Sequence, residues 1–311
     1  MKILLLGANG QLGRTFLGHG GLATRGTLLA ASRDGVLLDG GHGLIGDLTS
    51  PEDLSTLLDR EKPDLIVNTA AYTAVDRAEQ DEATATAVNG DAVGLLGRWA
   101  TGRRVLVVHY STDYVFAGDA TSPYPDDAPV APAGAYGRSK LAGERSLRES
   151  GAAHFIFRTA WVYSPVGSNF LRTMLRQGAA RDELRVVADQ HGTPTDTRLI
   201  VEGTLAAIDR WLSASDGDRA ALEGTYHLTA SGQTSWHGFA ERIFVSAATH
   251  GLMARIPVVR AIGTADFPTP AKRPAYSVLD NSRFAHTFDM AMPDWQIGLD
   301  RILTALSHSS D

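Results

Sequence analysis

The chain contains no cysteine, so disulfide bonds, thiolate metal sites and thiol catalysis are all excluded. It also contains no apolar run that approaches the roughly 18 residues of a membrane-spanning helix. The apolar segment near the N-terminus ends at Gly7 and is far too short for a signal peptide. We therefore expect a cytoplasmic protein that has no membrane partner.

Basic residues are not in excess either. Lys and Arg number 29 against 35 Asp and Glu, which leaves a formal net charge of −6. This balance argues against non-specific nucleic-acid binding and against a role at a membrane surface. The histidines show no metal-binding spacing such as His-Glu-x-x-His, so no metal site is predicted. With 311 residues, of which 43% are hydrophobic, the chain has room for one or two globular domains.

Short apolar runs alternate with longer helix-like segments through the first half of the chain. Strands are predicted at residues 2–6, 27–32, 65–68, 105–110 and 155–163. Helices are predicted at residues 11–18, 51–62, 83–100 and 136–149. Strands that are apolar throughout and separated by helices indicate a parallel sheet covered on both faces. The predicted fold class is therefore α/β, a doubly wound parallel sheet of the Rossmann type.

The pattern changes after residue 163, where the apolar runs become shorter and turn residues more frequent. Helices are predicted at residues 168–178 and 198–212, strands at 185–189 and 225–229, and loops at 189–195 and 215–219. The last of these strands can return to the first sheet. We therefore expect a Rossmann domain of residues 1–165 plus about 198–230. A second, smaller α+β substrate-binding domain would comprise about 166–197 plus 231–311.

Three glycines, Gly7, Gly10 and Gly13, follow the first predicted strand and lead into the first predicted helix. Glycines at such a turn permit a tight backbone, close approach to a pyrophosphate and close packing of helix on strand. The helix N-terminus then offers free N–H groups to the phosphates. The turn lacks the Gly-Lys-Ser/Thr ending of an ATP-binding loop. We interpret it as a dinucleotide site; a glycine-rich turn without a ligand is the alternative.

The end of the second predicted strand bears on the choice of dinucleotide. A carboxylate there usually binds the adenosine ribose of NAD, but Ser32 and Arg33 occupy these positions. Arg33 could bind a 2′-phosphate through its fork of donors, or it could be a solvated arginine. Asp34 follows immediately, so a carboxylate contact with the ribose of NAD stays an alternative. The predicted cofactor is therefore NADPH, with NADH possible.

Tyr136 and Lys140 lie four residues apart on a predicted helix and therefore on one of its faces. An ammonium group near a phenol favours the phenolate and lowers the phenol pKa from its usual value of about 10. Such a tyrosine could donate a proton at neutral pH, although the Tyr-x-x-x-Lys spacing also occurs by chance. Thr112 follows the predicted strand 105–110, at the edge of the sheet where ligands bind. Its hydroxyl could orient a substrate carbonyl, or simply cap the strand.

Four segments together resemble the extended short-chain dehydrogenase/reductase family and, within it, the dTDP-4-dehydrorhamnose reductases. They are HYSTDYVF at residues 109–116, YGRSKLAGE at 136–144, FRTAWVY at 157–163 and DQHGTPT at 189–195. The resemblance extends over nearly the whole chain. It implies NAD(P)H-dependent reduction of the 4-keto group of dTDP-4-dehydro-6-deoxy-L-mannose, a dTDP-sugar, to dTDP-L-rhamnose. Tyr136 would then donate the proton, Lys140 would hold the nicotinamide ribose, and Thr112 would orient the carbonyl.

The resemblance also implies contacts beyond these three residues. Family cofactor contacts correspond to Gly10, Gln11, Leu12, Asp47, Leu48, Ala71, Tyr72, Thr73 and Tyr110, and family substrate contacts to Thr112, Asp113 and Trp161. Tyr72 replaces a histidine that is frequent in the family, which still leaves an aromatic donor there. Some members join two subunits through magnesium bound by carboxylates, one of them two residues beyond the third glycine. Thr15 stands at that position, which counts against a bound Mg²⁺, while a homodimer stays open.

Two assignments and two rival functions complete the expectations. We assign Trp161 to the substrate, the alternative being a core residue of the strand. Arg273 lies in a proline-rich segment and could bind a diphosphate bidentately, or it could be a surface arginine. The rival functions are another extended reductase or an epimerase, and a non-catalytic binding subunit similar to the regulatory subunit of methionine adenosyltransferase.

Overall fold

Apolar runs that are buried along almost their whole length form the centre of the fold. The computed structural model describes residues 1–38 and 40–308. Its strands are β1 (Lys2–Leu6), β2 (Thr27–Ser32), β3 (Leu44–Ile45), β4 (Leu65–Asn68), β5 (Leu106–Thr112), β6 (His154–Thr159), β7 (Val162–Tyr163), β8 (Glu183–Val187), β9 (His191–Gly192), β10 (Thr195–Asp196), β11 (Gly224–His227), β12 (Thr234–Ser235) and β13 (Val258–Ile262).

Seven of these strands form one parallel sheet, in the order β11-β6-β5-β4-β1-β2-β3. On β1 the side chains alternate between two separate cores, with Ile3 and Leu5 on one face and Leu4 and Leu6 on the other. All four side chains are fully buried, which explains why this strand is apolar without interruption. The predicted α/β fold with a doubly wound parallel sheet is confirmed.

Helices cover both faces of this sheet. The α-helices of the described residues are α1 (Gln11–His19), α2 (Pro51–Glu61), α3 (Val75–Ala78), α4 (Glu82–Thr86), α5 (Ala92–Ala100), α6 (Ala135–Glu149), α7 (Phe170–Ala180), α8 (Thr197–Ser213), α9 (Asp216–Leu222), α10 (Trp236–Thr249), α11 (Ser282–Thr287) and α12 (Trp295–His308). Apolar side chains of α1, α8 and α11 pack on one face, and those of α2, α5 and α6 on the other. The sheet is therefore the middle layer of three.

The predicted strand at residues 155–163 is wrong at its end. The strand β6 stops at Thr159, and Trp161 has a positive φ of 46°, which a bulky side chain rarely adopts. The short strand β7 then leaves the main sheet and pairs with β10. This bend turns the chain out of the sheet at its carboxyl edge, where ligands bind in open α/β folds.

Three other local predictions are also corrected. The polar segment at residues 215–219 belongs to a helix, α9, because the Ser215 hydroxyl accepts the Asp218 N–H and begins it. The Arg219 guanidinium covers the Trp211 ring, which ties the helix to α8. The predicted helix at 83–100 contains a π-helical turn at Ala87–Asp91 between α4 and α5. The predicted loop at 189–195 includes the short pairing segments β9 and β10.

A third apolar cluster lies outside the main sheet. Its side chains come from α7, α8, α10, α12 and neighbouring strands, including Phe239, Phe244 and Leu299. The strand β11 returns to the main sheet and pairs with β6, as the sequence predicted. These two facts support the division into a Rossmann domain and a smaller domain near the boundaries expected above, and that division stays our proposal.

A buried ion pair joins three elements of the Rossmann part. Arg158 on β6 donates two hydrogen bonds to the Glu144 carboxylate on α6, at 2.9 and 2.8 Å, and the Ser111 hydroxyl on β5 donates a third at 2.6 Å. Burial alone would raise the pKa of Glu144, but these donors lower it below the usual value. The carboxylate is therefore ionised and holds α6 against the end of β5.

We expect Glu144→Gln to destabilise the fold by about 3 kcal/mol, because it leaves the buried Arg158 without a charged partner. The measurement is the free energy of unfolding in denaturant at neutral pH. Because the folded pKa of Glu144 is lowered, its contribution is present above pH 4.5, its ordinary pKa, and is lost as the pH falls through the lowered value. The difference between the two proteins should shrink in acid.

Glu82→Gln is the matched control for this substitution. Glu82 also accepts two hydrogen bonds from one arginine, Arg138, but both side chains of that pair are exposed. Exposed pairs contribute about 0.2–1 kcal/mol. Equal losses for the two variants would show that burial of the Glu144 pair does not set its contribution.

Candidate active site

A cavity of about 650 Å³ lies at the carboxyl ends of β1, β4 and β5. Its size is within the usual range for a ligand pocket. Most of the predicted site residues line it: Gly7, Gly10, Gln11, Leu12, Arg33, Asp47, Leu48, Ala71, Thr73, Tyr110, Thr112, Asp113, Tyr136, Lys140 and Trp161. The residues Gly13, Ser32, Tyr72 and Arg273 are not among its lining residues.

The glycine turn brings α1 close to β1 and β4. Gly7 has a φ of +79°, and a Cβ there would lie 2.5 Å from the Ala70 nitrogen. A Cβ on Gly13 would lie 2.2 Å from the Gly7 carbonyl oxygen, so Gly13 acts through packing. Gly10 begins α1 without any side-chain cap, and Gly10, Gln11 and Leu12 face the cavity. Free N–H groups at an uncapped helix start fit the pyrophosphate of a dinucleotide.

The region after β2 places one predicted residue in the cavity and buries the other. Arg33 is exposed and lines the cavity. Ser32 is buried, and its hydroxyl donates to Asp34 and to the Val36 carbonyl. Hydrogen bonds from the Val36 N–H and the Ser32 hydroxyl lower the pKa of Asp34, so this carboxylate is occupied by its own turn. The predicted direct contact of Ser32 with a cofactor is therefore not supported.

Two of the remaining predicted residues have partners outside the cavity. The Tyr72 backbone exchanges two hydrogen bonds with the buried Asn89 side chain. Arg273 forms an ion pair with Asp76, outside the cavity, at 2.6 Å, and it donates at 3.3 Å to the hydroxyl of Tyr114, which lines the cavity. A diphosphate at Arg273 would have to compete with the Asp76 carboxylate.

Thr112 and Tyr136 meet at the end of β5. The Thr112 hydroxyl donates to Asp113 at 2.9 Å and accepts the Tyr114 N–H, and it lies close enough to the Tyr136 phenol to lower the pKa of that phenol. Burial raises the pKa of Asp113 to about 6, with opposing hydrogen bonds from Ser277 and Thr112. Two hydroxyl groups and a weakly acidic carboxyl group thus converge on one point of the cavity.

The predicted lowering of the Tyr136 pKa is wrong for this structure. Burial raises that pKa above its usual value, the nearby Asp113 charge raises it further, and the Thr112 hydrogen bond opposes the rise. Lys140 is not among the groups that lower this pKa, and its Nζ lies 3.2 Å from Nε2 of His109. Burial lowers the pKa of Lys140 to about 7, although the Glu144 charge opposes that shift. The phenol is therefore protonated throughout the neutral range.

Trp161 lies between the cavity and the third apolar cluster. Its ring stacks on Trp236 at a centroid distance of 3.5 Å and an angle of 4°. A Cβ on Gly192 would lie 2.4 Å from this ring, so the loop at 189–195 packs closely against it. The strained backbone at Trp161 is thus held by contacts on both sides.

Sequence reasoning missed several residues at the site. Asn9 lines the cavity and fixes the segment after β2 by hydrogen bonds to the Val36 carbonyl and the Leu38 N–H. Asn68 and His109 lie behind Lys140 and are buried. The signal that could have found the last two is their polarity within strands that are otherwise apolar.

Among residues 1–38 and 40–308, no cluster of three His, Asp or Glu side chains could hold a metal ion.

We expect Gly13→Ala to weaken NADPH binding at least tenfold and to lower stability, because the new Cβ would push α1 away from β1. Isothermal titration calorimetry and denaturant unfolding measure the two effects. Gly18→Ala on the same helix is the control, since nothing lies within 4 Å of its Cβ. Alanine favours helices, so this variant should be slightly more stable. Unchanged NADPH affinity in Gly13→Ala would contradict the role of close packing.

The comparisons with known proteins agree with this geometry. The family model described as "RmlD substrate binding domain" matches residues 1–308. A dTDP-4-dehydrorhamnose reductase of Burkholderia thailandensis is 46% identical over 303 residues, which cover 95% of this chain and 96% of that protein. The crystal structure of a dTDP-4-dehydrorhamnose reductase from Clostridium acetobutylicum has a TM-score of 0.85 and 34% identity, with coverage of 98% and 99%.

A second solved structure bears on the cofactor. The dTDP-4-dehydrorhamnose reductase of Bacillus anthracis, crystallised in complex with NADP, has a TM-score of 0.83 and is 31% identical. The alignment covers 98% of this chain and 99% of that one. The resemblance first seen in four segments thus extends over the whole fold, and the chain belongs to the dTDP-4-dehydrorhamnose reductase family.

Proposed function

We propose that this chain reduces the 4-keto group of dTDP-4-dehydro-6-deoxy-L-mannose to give dTDP-L-rhamnose, with NADPH as reductant. The observation that carries the proposal is the convergence of the Thr112 and Tyr136 hydroxyls in the same cavity as the glycine turn. Full-length relatives that are dTDP-4-dehydrorhamnose reductases support the choice of substrate. The oxidised cofactor would leave after each turnover.

The cofactor choice is supported by the cavity and by the NADP-bound relative. The uncapped start of α1 would receive the pyrophosphate, and exposed Arg33 would face a 2′-phosphate. Bound NADPH supplies a hydride to the carbonyl carbon. The residues of this chain then have to hold the ketone and protonate its oxygen.

Tyr136 would donate that proton, and Thr112 would hold the carbonyl oxygen in line with it. A raised phenol pKa keeps the proton on Tyr136 until the substrate oxygen gains negative charge. The hydrogen bond from Thr112 strengthens as that charge develops. Asp113 and Trp161 line the same cavity and would contact the sugar. Arg273 would contact the diphosphate only after its ion pair with Asp76 opens.

The rival functions make different predictions. An epimerase retains its cofactor, so release of oxidised cofactor in proportion to product separates the two reactions. A non-catalytic subunit would not need Thr112, Tyr136 and Lys140 in one cavity with the glycine turn.

No helix within residues 1–38 and 40–308 has the length and apolar character needed to span a membrane. The cytoplasmic location and the homodimer stay predictions.

We expect the purified protein to oxidise NADPH only when enzymatically prepared dTDP-4-dehydrorhamnose is added. Tyr136→Phe should lower kcat about a thousandfold, because the proton donor is lost, while NADPH affinity changes less than about twofold. Reduced-cofactor absorbance and calorimetry measure the two quantities. Tyr226→Phe is the control, since that buried hydroxyl bonds to the Leu222 carbonyl outside the cavity. A Tyr136→Phe variant that keeps most of its activity would remove Tyr136 as the acid.

We expect Arg33→Ala to raise the KM for NADPH about tenfold or more and to leave the KM for NADH nearly unchanged. The reason is the loss of a charged hydrogen bond to the 2′-phosphate, which NADH lacks. The ratio of kcat/KM for the two cofactors is the measurement. Arg60→Ala removes an exposed arginine elsewhere and should leave the ratio as it is. An equal loss for both cofactors would rule out recognition of the 2′-phosphate by Arg33.

A further inference from the structure

Two buried polar residues lie behind Lys140 and have no role in the proposed reduction. Asn68 and His109 are paired neighbours on β4 and β5, and each side chain is 1% exposed. Asn68 Nδ2 lies 3.2 Å from His109 Nδ1, and His109 Nε2 lies 3.2 Å from Lys140 Nζ. The three side chains therefore form a continuous chain of hydrogen bonds that ends at the cavity.

The backbone sets the direction of these hydrogen bonds. The Ala70 N–H can only donate, so the Asn68 atom that faces it at 3.2 Å is the oxygen Oδ1. The amide nitrogen of Asn68 then faces His109 and can only donate. His109 Nδ1 must accept that hydrogen bond. A neutral imidazole that accepts at Nδ1 carries its proton on Nε2.

The tautomer of His109 decides what Lys140 can do. The Nε2–H group points at Lys140 Nζ and needs a lone pair there, which an ammonium does not have. The lysine beside His109 is therefore the neutral amine. Burial lowers the pKa of Lys140 to about 7, and burial together with the Lys140 charge lowers that of His109 well below its usual value. Both shifts agree with a neutral pair.

The other charged and titratable groups around Lys140 leave this arrangement intact. The Glu144 carboxylate on the same helix favours the ammonium, but its oxygens are held by Arg158 and Ser111. Tyr136, one turn away, is a neutral phenol. The charge of the Asp113 carboxyl group raises the pKa of the Tyr136 phenol.

We propose that Asn68 and His109 are positioning residues that stabilise the unprotonated form of Lys140, so that this lysine returns a proton to Tyr136 in each turnover. The proposal rests on the proposed reductase function. The ketone carbon gains the hydride, the ketone oxygen gains the Tyr136 proton, and the Lys140 ammonium reprotonates the phenolate. The resulting amine accepts the His109 Nε2–H hydrogen bond until it takes a proton from solvent. The ammonium cannot accept that bond and turns to the cavity.

The first test reads the tautomer directly and needs no substrate. The full-length protein is labelled with ¹⁵N-histidine, and the His109 signals are assigned by their loss in His109→Gln. We expect a neutral ring protonated at Nε2 between about pH 6 and pH 8. A ring protonated at Nδ1, or a charged imidazolium in this range, would overturn the proposal. If the tautomer is found but dTDP-4-dehydrorhamnose is not reduced, the reductase function fails and the hydrogen-bond chain stands.

The second test reverses the direction of these hydrogen bonds with one isosteric change, Asn68→Asp. A carboxylate only accepts, so it can keep the hydrogen bond from the Ala70 N–H and accept another from a His109 ring protonated at Nδ1. His109 Nε2 then becomes an acceptor and holds Lys140 as the ammonium. We expect the basic limb of the kcat profile to move to higher pH by about one unit or more. A uniform loss of kcat at every pH would show a purely structural role and contradict the proposal.

Asn281→Asp is the control for this variant. The Asn281 amide also bonds to the main chain, at the Thr229 and Ala230 carbonyls, but the residue does not line the cavity. Its pH profile should keep the shape of the unmodified protein even if stability falls. Should Asn68→Asp fail to fold, the histidine spectrum of the unmodified protein decides the question.

Discussion

The buried ion pair between Glu144 and Arg158 is the constraint on which the arrangement of the site depends. It joins α6 to β6, and the Ser111 hydroxyl joins the same carboxylate to the end of β5. Tyr136 and Lys140 lie on that helix, and Thr112 follows Ser111 directly. A shift of the helix along the sheet would therefore break hydrogen bonds to a buried charge, which is costly. The hydroxyl groups of Thr112 and Tyr136 stay together because the carboxylate beneath them cannot move freely.

A second constraint acts at the other side of the cavity, where the chain leaves the sheet. The left-handed backbone of Trp161 turns β7 toward β10. The Trp161 ring stacks on Trp236, which belongs with the third apolar cluster, and this contact supports the turn. The same residue therefore links both parts of the chain and lines the cavity. A strained residue held by packing at a ligand site is a common arrangement, because the surrounding contacts offset the strain.

Much of this could be predicted from sequence, and the failures have physical causes. The strands Lys2–Leu6, Thr27–Ser32 and Leu65–Asn68 agree with prediction. In the first and the last of them, burial on both faces leaves an almost unbroken apolar run. The bend at Trp161 was missed because the residues on both sides of it are also buried or apolar. In the site, sequence spacing brought Tyr136 and Lys140 together, but partners across strands depend on tertiary structure. For that reason the role of His109, the ion pair of Arg273 and the internal hydrogen bonds of Ser32 all escaped prediction.

Burial explains why the charge state of the site differs from the sequence-based expectation. Removing a group from water disfavours its charged form, so the same desolvation raises the pKa of Tyr136 and lowers that of Lys140. A fixed ammonium that tunes the phenol is thus not required for a protonated tyrosine at neutral pH. The harder step is the return of a proton to the phenolate, since that anion is buried beside Asp113. A lysine that readily loses its proton suits this step better than one that stays charged, and the hydrogen bond from His109 gives the amine a defined place.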